Sequence, residues 1–148
     1  MAENMGIKKE LFDLIIASVT QAPYYQLLGV RLEQIGSGWA TLTVMPQTQH
    51  TNPIGLVHGG LIMSLGDAAM GNAVRSLGLK GVTANMNIDF MRPAKVESKL
   101  LARGDVTKAG SNLVFARAVI ESDNKLIAAT SGTFYVTGAI DLEVGSHG

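Results

Sequence analysis

The sequence predicts an α+β domain in which a curved antiparallel sheet wraps one long central helix, with a further amphipathic helix ahead of it. Three observations carry this. Over residues 61–77 the apolar residues Leu61, Ile62, Met63, Leu65, Ala68, Ala69, Met70, Ala73, Val74 and Leu77 recur at three- and four-residue spacings. They cover most of a helical wheel, as in a helix with little water around it. Six other segments read as short strands, the clearest being residues 82–90, where Val82, Ala84, Met86, Ile88 and Phe90 alternate with Thr83, Asn85, Asn87 and Asp89. The order is helix, two strands, buried helix, four strands, which places the strands on both sides of one helix in the chain. A helix of about 17 residues is about 25 Å long, the length of a strand of about eight residues, so a curved sheet can enclose it.

The elements follow in order. Residues 7–19 put Leu11, Phe12, Leu14, Ile15, Ile16 and Val19 on one side and Lys8, Lys9, Glu10 and Asp13 elsewhere, an amphipathic helix. Pro23 is expected to end it, and residues 24–28 to form a short helical turn before Gly29. Residues 30–34 and 39–45 read as a hairpin around Gly36, Ser37 and Gly38, with Ala40, Leu42 and Val44 alternating with Trp39, Thr41 and Thr43. A polar connection then leads to the glycine-rich segment ahead of the central helix. Gly78 and Gly81 are expected to close that helix. Strands at about 100–107, 113–121 and 126–136 follow, separated by segments of turn composition. The segment 113–121 is apolar on both faces, as expected where one face meets the helix and the other meets something else. Residues 1–5 and 144–148 are expected to fray. One domain spans 1–148, with a core at about 27–137.

Composition narrows the functional classes. The chain is 47% hydrophobic and 16% charged, with a mean hydropathy of +0.23. That is apolar for a lone domain and implies that another subunit covers part of the surface. Twelve basic and twelve acidic side chains cancel, which offers no case for nucleic acid or a broad membrane field. The absence of Cys removes disulfides, Cys-ligated zinc and a thiol nucleophile. His50, His58 and His147 lack metal-ligand spacing, so no metal is expected. With no apolar run long enough to span a bilayer and no signal-peptide pattern, a cytoplasmic protein is expected.

Asp67 is the anomaly in the oily helix. A carboxylate away from water is costly unless paired, hydrogen-bonded or needed, and Leu65, Gly66, Ala68 and Ala69 beside it offer no charge. One explanation is an ion pair with Arg75 or a distant Lys. The other comes from just upstream, where Gly55, Gly59 and Gly60 let the backbone turn sharply and approach a ligand. A helix starting there aims the free N–H groups of its first turn outward, toward negative charge. A carboxylate two turns further in, with amides at the helix start, supplies two parts of an acyl-transfer site: a base or nucleophile, and an oxyanion holder.

Asn52, Gly55, His58, Gly59, Gly60 and Asp67 together resemble the motif of the hotdog-fold acyl-CoA thioesterases, specifically the phenylacetate-pathway (PaaI-like) group. The phrase from Asn87 to Ala94, the stretch Thr107, Lys108, Ala109, Gly110, Ser111 and the closing Ala128 to Thr133 are similar to it as well. The resemblance covers about residues 27–137 and implies the hotdog fold: a curved sheet around one central helix, paired into homodimers and often dimers of dimers. It implies thioester hydrolysis in sites shared across the dimer, the carboxylate of one subunit facing the glycine amide of its partner.

The resemblance also assigns roles. The Gly59 N–H is the candidate oxyanion donor and Asp67 the base or nucleophile. A free aspartate is a weak base at neutral pH. Either its surroundings must strengthen it or it must attack directly to form an acyl anhydride, and the sequence leaves both routes open. Asn52 is expected to position the carboxylate or water, and His58 to hold the loop or the thioester, or simply to bond to loop backbone. Gly60 brings backbone to the substrate. Some relatives carry a hydroxyl eighteen positions after the acid, where this chain has Asn85, a residue able to hold a water. Arg92, with Lys108, Gly110 and Ser111 at strand ends, suits the phosphates of coenzyme A. Coenzyme A is part of the substrate, and no separate cofactor is expected. A non-catalytic acyl-CoA binding or sensing protein is the alternative, though it has no use for Asp67. A hotdog dehydratase fits the spacing poorly.

Overall fold

The structure is a computed structural model that describes residues 1–142. The expected fraying of residues 144–148, and His147 with it, lies outside the described residues. In chain order the elements are β1 (Glu3–Asn4), α1 (Lys9–Gln21), α2 (Pro23–Leu28), β2 (Arg31–Gly36), β3 (Trp39–Val44), a single 3-10 turn (Thr48–His50), α3 (Gly59–Arg75), β4 (Leu79–Phe90), β5 (Leu100–Ala109), β6 (Leu113–Ser122) and β7 (Lys125–Ala139). Seven strands form one sheet in the order β1-β2-β3-β5-β6-β7-β4. All neighbours are antiparallel except β1 and β2.

The sheet curves around α3, as the sequence predicts. Leu65, Ala69, Met70 and Ala73 of that helix are fully buried against Leu42, Leu100, Ala102, Val114 and Ile120 of the sheet. Burial of each large apolar side chain contributes about 1.5–3 kcal/mol. Close approach needs a residue without a side chain: a Cβ on Gly104 of β5 would stand 2.4 Å from the backbone of Ala69. On β6 the division expected from its composition is present. Val114, Ala116, Ala118 and Ile120 are buried on the helix side, while Leu113, Phe115 and Val119 are about 40% exposed on the other.

Two local expectations need correction, and one gains a detail. Residues 1–5 do not fray: Glu3 and Asn4 pair with Gln34 and Ile35, Met5 donates to the Ile35 carbonyl at 2.8 Å, and Asn4 Oδ1 accepts from the N–H of Gly6 and of Ile7. α1 ends at Gln21 with Ala22 extended ahead of Pro23, as expected, and Pro23 also begins α2, a position where its missing N–H costs no helical bond. Gly81 does not close α3, which ends at Arg75. The turn is made at Gly78, with φ of +80°, and Gly81 lies inside β4, beside a shift in pairing register.

β4 positions the site. It is twelve residues long and, among the described residues, pairs only with β7 and ends the sheet with its other edge open. Its pairing also carries a bulge: Val82 faces Tyr135 and Thr83 faces Phe134, but the next pairs are Asn85 with Thr133 and Met86 with Gly132. Ala84 is the extra residue. Thr83 therefore shares the helix-facing side with Met86, Ile88 and Phe90, and Asn85 turns to the outer side.

Candidate active site

The loop ahead of α3 is built on Asn52. Its backbone N–H donates to Leu56 O at 2.7 Å, its carbonyl accepts from Gly55, and its Oδ1 accepts from the N–H of Ile54 at 3.1 Å and of Leu56 at 3.0 Å. This is a self-bonded turn of the kind Asn favours. Val57 donates to Ala94 O at 3.0 Å and His58 to His50 O at 2.8 Å, so the loop is tied both to the segment after β4 and to the 3-10 turn. Asn52 thus shapes the loop, and its Oδ1 is already occupied there.

His58 caps α3. Its Nδ1 accepts from the Gly60 N–H at 2.7 Å and its carbonyl accepts from Leu61, two of the donors that a helix start leaves unmatched. Because Nδ1 is an acceptor, the neutral ring carries its proton on Nε2. Of the two expectations for His58, loop-holding is the one its contacts show. The Gly60 amide is committed to His58 as well. Between them, the Gly59 N–H has no acceptor among the described residues. Gly59 borders a cavity of about 290 Å³ whose wall includes Asn52, Ile62, Phe90, Met91 and Arg92. The Phe90 ring stands 3.1 Å from where a Cβ on Gly59 would be, so the ring lies directly over the backbone at the helix start.

Asp67 lies two turns along the same helix and is half-buried. Its Oδ1 accepts from the Thr83 hydroxyl at 2.6 Å. The ion pairs among the described residues are Lys9–Asp13 and Arg103–Asp105, so Asp67 has no cation partner there. Arg75 turns instead to Asn72 Oδ1 and Ser18 Oγ, and burial holds its pKa below the ordinary guanidinium range, against the opposing influence of Tyr25. Tyr25 feels Asp67: burial first, then the Asp67 charge, pushes the phenol above its ordinary value, while a hydrogen bond with Asn72 opposes the shift. Tyr24 of α2 meets Ser64, one turn before Asp67, through a 2.7 Å hydroxyl contact.

Thr83 is the residue that sequence reading missed. The resemblance drew attention to the position eighteen residues after the acid, where this chain has Asn85, but Asn85 lies on the outer side of β4, where its Oδ1 accepts from Asn87 at 3.3 Å. Regular alternation groups Thr83 with Asn85, and the bulge at Ala84 separates them. Arg92 borders the Gly59 cavity and donates to Leu126 O at 3.4 Å. Lys108 ends β5, and Gly110 donates to Leu113 O at 2.8 Å in the following turn with Ser111. That turn lies at the Val82 end of the sheet and Arg92 at the Phe90 end, so one chain does not bring the two together. Among the described residues no group of three or more His, Cys, Asp or Glu side chains could hold a metal, and no helix is long and apolar enough to cross a membrane.

A family model described as the thioesterase superfamily matches residues 54–129. The chain is 32% identical over 120 residues to human acyl-coenzyme A thioesterase 13, covering 77% of this chain and 86% of that one. It is 30% identical over 112 residues to acyl-coenzyme A thioesterase PaaI of Escherichia coli, covering 75% and 80%. The E. coli PaaI structure superimposes with a TM-score of 0.85 at 25% identity, covering 92% of this chain and all of that one. A Streptococcus pneumoniae protein described as a hypothetical thioesterase and solved with coenzyme A superimposes at 0.73 and 26% identity, covering 76% of this chain and 91% of that one. The S. pneumoniae protein has also been solved with an Asp and, separately, a Thr changed to Ala, the two lying 16 positions apart, the separation of Asp67 and Thr83 here.

Proposed function

The chain belongs to the thioesterase superfamily, and from that premise we propose that it hydrolyses acyl-CoA thioesters in a site built by two copies of the chain. The observation that carries this reading is the arrangement along α3: an unpartnered Gly59 N–H beside a cavity, and Asp67 held by Thr83 eight residues further on. Eight residues of helix span about 12 Å, too far for the amide and the carboxylate of one chain to act on one carbonyl group. The open edge of β4 supplies a remedy. A second β4 added antiparallel across a two-fold axis sets the Thr83 end of one strand beside the Phe90 end of the other. Asp67 of one copy then approaches Gly59 of the other.

In that site the thioester carbonyl oxygen accepts from the Gly59 N–H, a donor worth about 3–4 kcal/mol as the oxygen becomes an anion. Asp67, oriented by the Thr83 hydroxyl, acts by one of two routes. As a base it takes a proton from water while the water oxygen bonds to the carbonyl carbon; the C–S bond then breaks, and the thiolate leaves with that proton. As a nucleophile it bonds to the carbon itself and expels the thiolate, and water cleaves the resulting anhydride. Both routes give the free acid and coenzyme A and restore the carboxylate. Neither draws on a metal or a redox cofactor.

Coenzyme A of the substrate meets Arg92 at the cavity of one copy and the Lys108, Gly110 and Ser111 turn of the other, since the same two-fold axis brings those opposite strand ends together. The S. pneumoniae relative solved with coenzyme A supports this substrate class. The outer face of the sheet, with Leu113, Phe115, Val119 and Tyr135 each 39–51% exposed, suits a second dimer, making a dimer of dimers.

Asp67→Asn keeps size and shape while removing the base and nucleophile. Turnover of an acyl-CoA panel, followed by release of free thiol, is expected to fall about 10³-fold with the oligomer intact. Undiminished hydrolysis by this variant contradicts the assignment. Tight binding of coenzyme A esters by the native protein without hydrolysis points instead to an acyl-CoA binding protein on the same fold.

A further inference from the structure

Every polar group of His50 but one is engaged in holding the 3-10 turn and the cap of α3. Its N–H donates to Gln47 O at 2.9 Å, its Nδ1 accepts from the Gln47 N–H at 2.9 Å, and its carbonyl accepts from the His58 N–H at 2.8 Å. His58 in turn uses its own Nδ1 to accept from Gly60. Two imidazoles in series, each an acceptor at Nδ1, therefore lie at the two ends of the loop that presents the Gly59 amide. For His50 this fixes the neutral tautomer with the proton on Nε2, an atom that is buried without a partner among the described residues.

From this geometry we infer that His50 is a positioning residue for the Gly59 amide: as a neutral imidazole it locks the turn whose carbonyl holds His58, and protonation unlocks it. A proton on Nδ1 replaces the acceptor for Gln47 by a donor, so that two N–H groups face each other, and the second ring N–H stays buried with no acceptor. The strain falls on the Gln47–His50 turn and reaches Gly59 through the bond between the His50 carbonyl and the His58 N–H. The charged groups around the ring do not reverse this. Arg31 and Lys99 line the groove beside His50 and oppose a further positive charge. Glu33, in the same groove, is occupied by the Thr43 hydroxyl at 2.7 Å. Glu97 is exposed, and its backbone N–H donates to Pro46 O. α2 contributes only the uncharged Gln26, Leu27 and Leu28 to this groove.

The inference rests on the proposed role of Gly59, and its test has an arm that needs no substrate. Asn at position 50 offers Oδ1 where the imidazole offers Nδ1 and does not titrate, whereas Ala offers nothing. Long-range proton–nitrogen spectra of the imidazoles, with amide exchange at Gln47, His58 and Gly59, are recorded from pH 8 to pH 5 for the native protein and for His50→Asn. Expected are Nε2–H on His50 at the upper pH, faster exchange at these amides as the ring protonates, and no such acceleration in His50→Asn. Protonation at Nδ1 at the upper pH, or exchange indifferent to His50 titration, overturns the inference whether or not the protein hydrolyses thioesters. In the activity arm, His50→Ala lowers kcat/KM about tenfold at neutral pH, about the effect of losing one cap. His50→Asn restores it and keeps activity to lower pH than the native enzyme. An acid limb identical in His50→Asn and the native enzyme also overturns it.

Discussion

Asp67 sits on a mostly apolar helix, and the Thr83 hydroxyl is its hydrogen-bond partner among the described residues. The 2.6 Å bond from Thr83 fixes which carboxylate oxygen is occupied and leaves the other to act. Thr83→Val removes that bond while preserving volume, and kcat is expected to fall about tenfold with KM little changed, whereas Thr83→Ser retains most activity. Equal kcat values for the Val variant and the native enzyme contradict an orienting role. Tyr25, close enough to feel Asp67, gives a second check. Its folded-state pKa is raised above the ordinary phenol value of about 10, so it contributes stability that is complete below about pH 10 and is lost as pH rises toward the folded value. Denaturant titrations should show native stability falling in that alkaline window and a smaller fall in Tyr25→Phe. An equal fall in both excludes Tyr25 as the source.

The elements differ in how far the sequence discloses them, and the reasons are physical. α3 is legible because its apolar residues repeat at helical spacing, and its start is legible because His58, Gly59 and Gly60 mark it. The alternation of β4 was equally legible, yet it groups Thr83 with Asn85 and gave no sign that Thr83 meets Asp67. The bulge at Ala84 arises from pairing with β7, whose residues facing it lie 48 to 51 positions away and whose register no local pattern records. β1 escaped notice because two residues carry no periodicity, and the order of strands in the sheet is likewise a matter of long-range pairing. Packing between α3 and β5 makes a stability prediction. Gly104→Ala sets a methyl group into the backbone of Ala69, which neither side can vacate, and should cost about 3 kcal/mol or more in chemical denaturation. A cost under about 0.5 kcal/mol shows that α3 and β5 lie further apart than described here.

For the molecule as a whole, the high apolar content of the sequence has a structural counterpart in what one chain leaves uncovered. Val82, Phe90 and Met91 on and just beyond β4 are half-exposed, as are Tyr135 and its neighbours on the outer face. Composition led to the expectation that something covers part of the surface; it could not say which edge, because that depends on β4 ending the sheet. The proposed catalytic groups follow the same logic. Gly59 and Asp67 were legible as a pair in sequence, but it is the length of α3 between them that leads to the proposal that they serve different sites.

The most direct test of the shared site mixes two inactive chains. Asp67→Asn removes the carboxylate. Gly59→Pro removes only the N–H at the first helical position, where proline is accepted, with a small shift of the Phe90 ring. Each variant alone should lose at least about 10²-fold in kcat. Unfolded and refolded together in equal amounts, they should recover about a quarter of native activity, since half the dimers are mixed and each mixed dimer has one intact site. Activity no greater than that of the separate variants contradicts a site assembled from two copies.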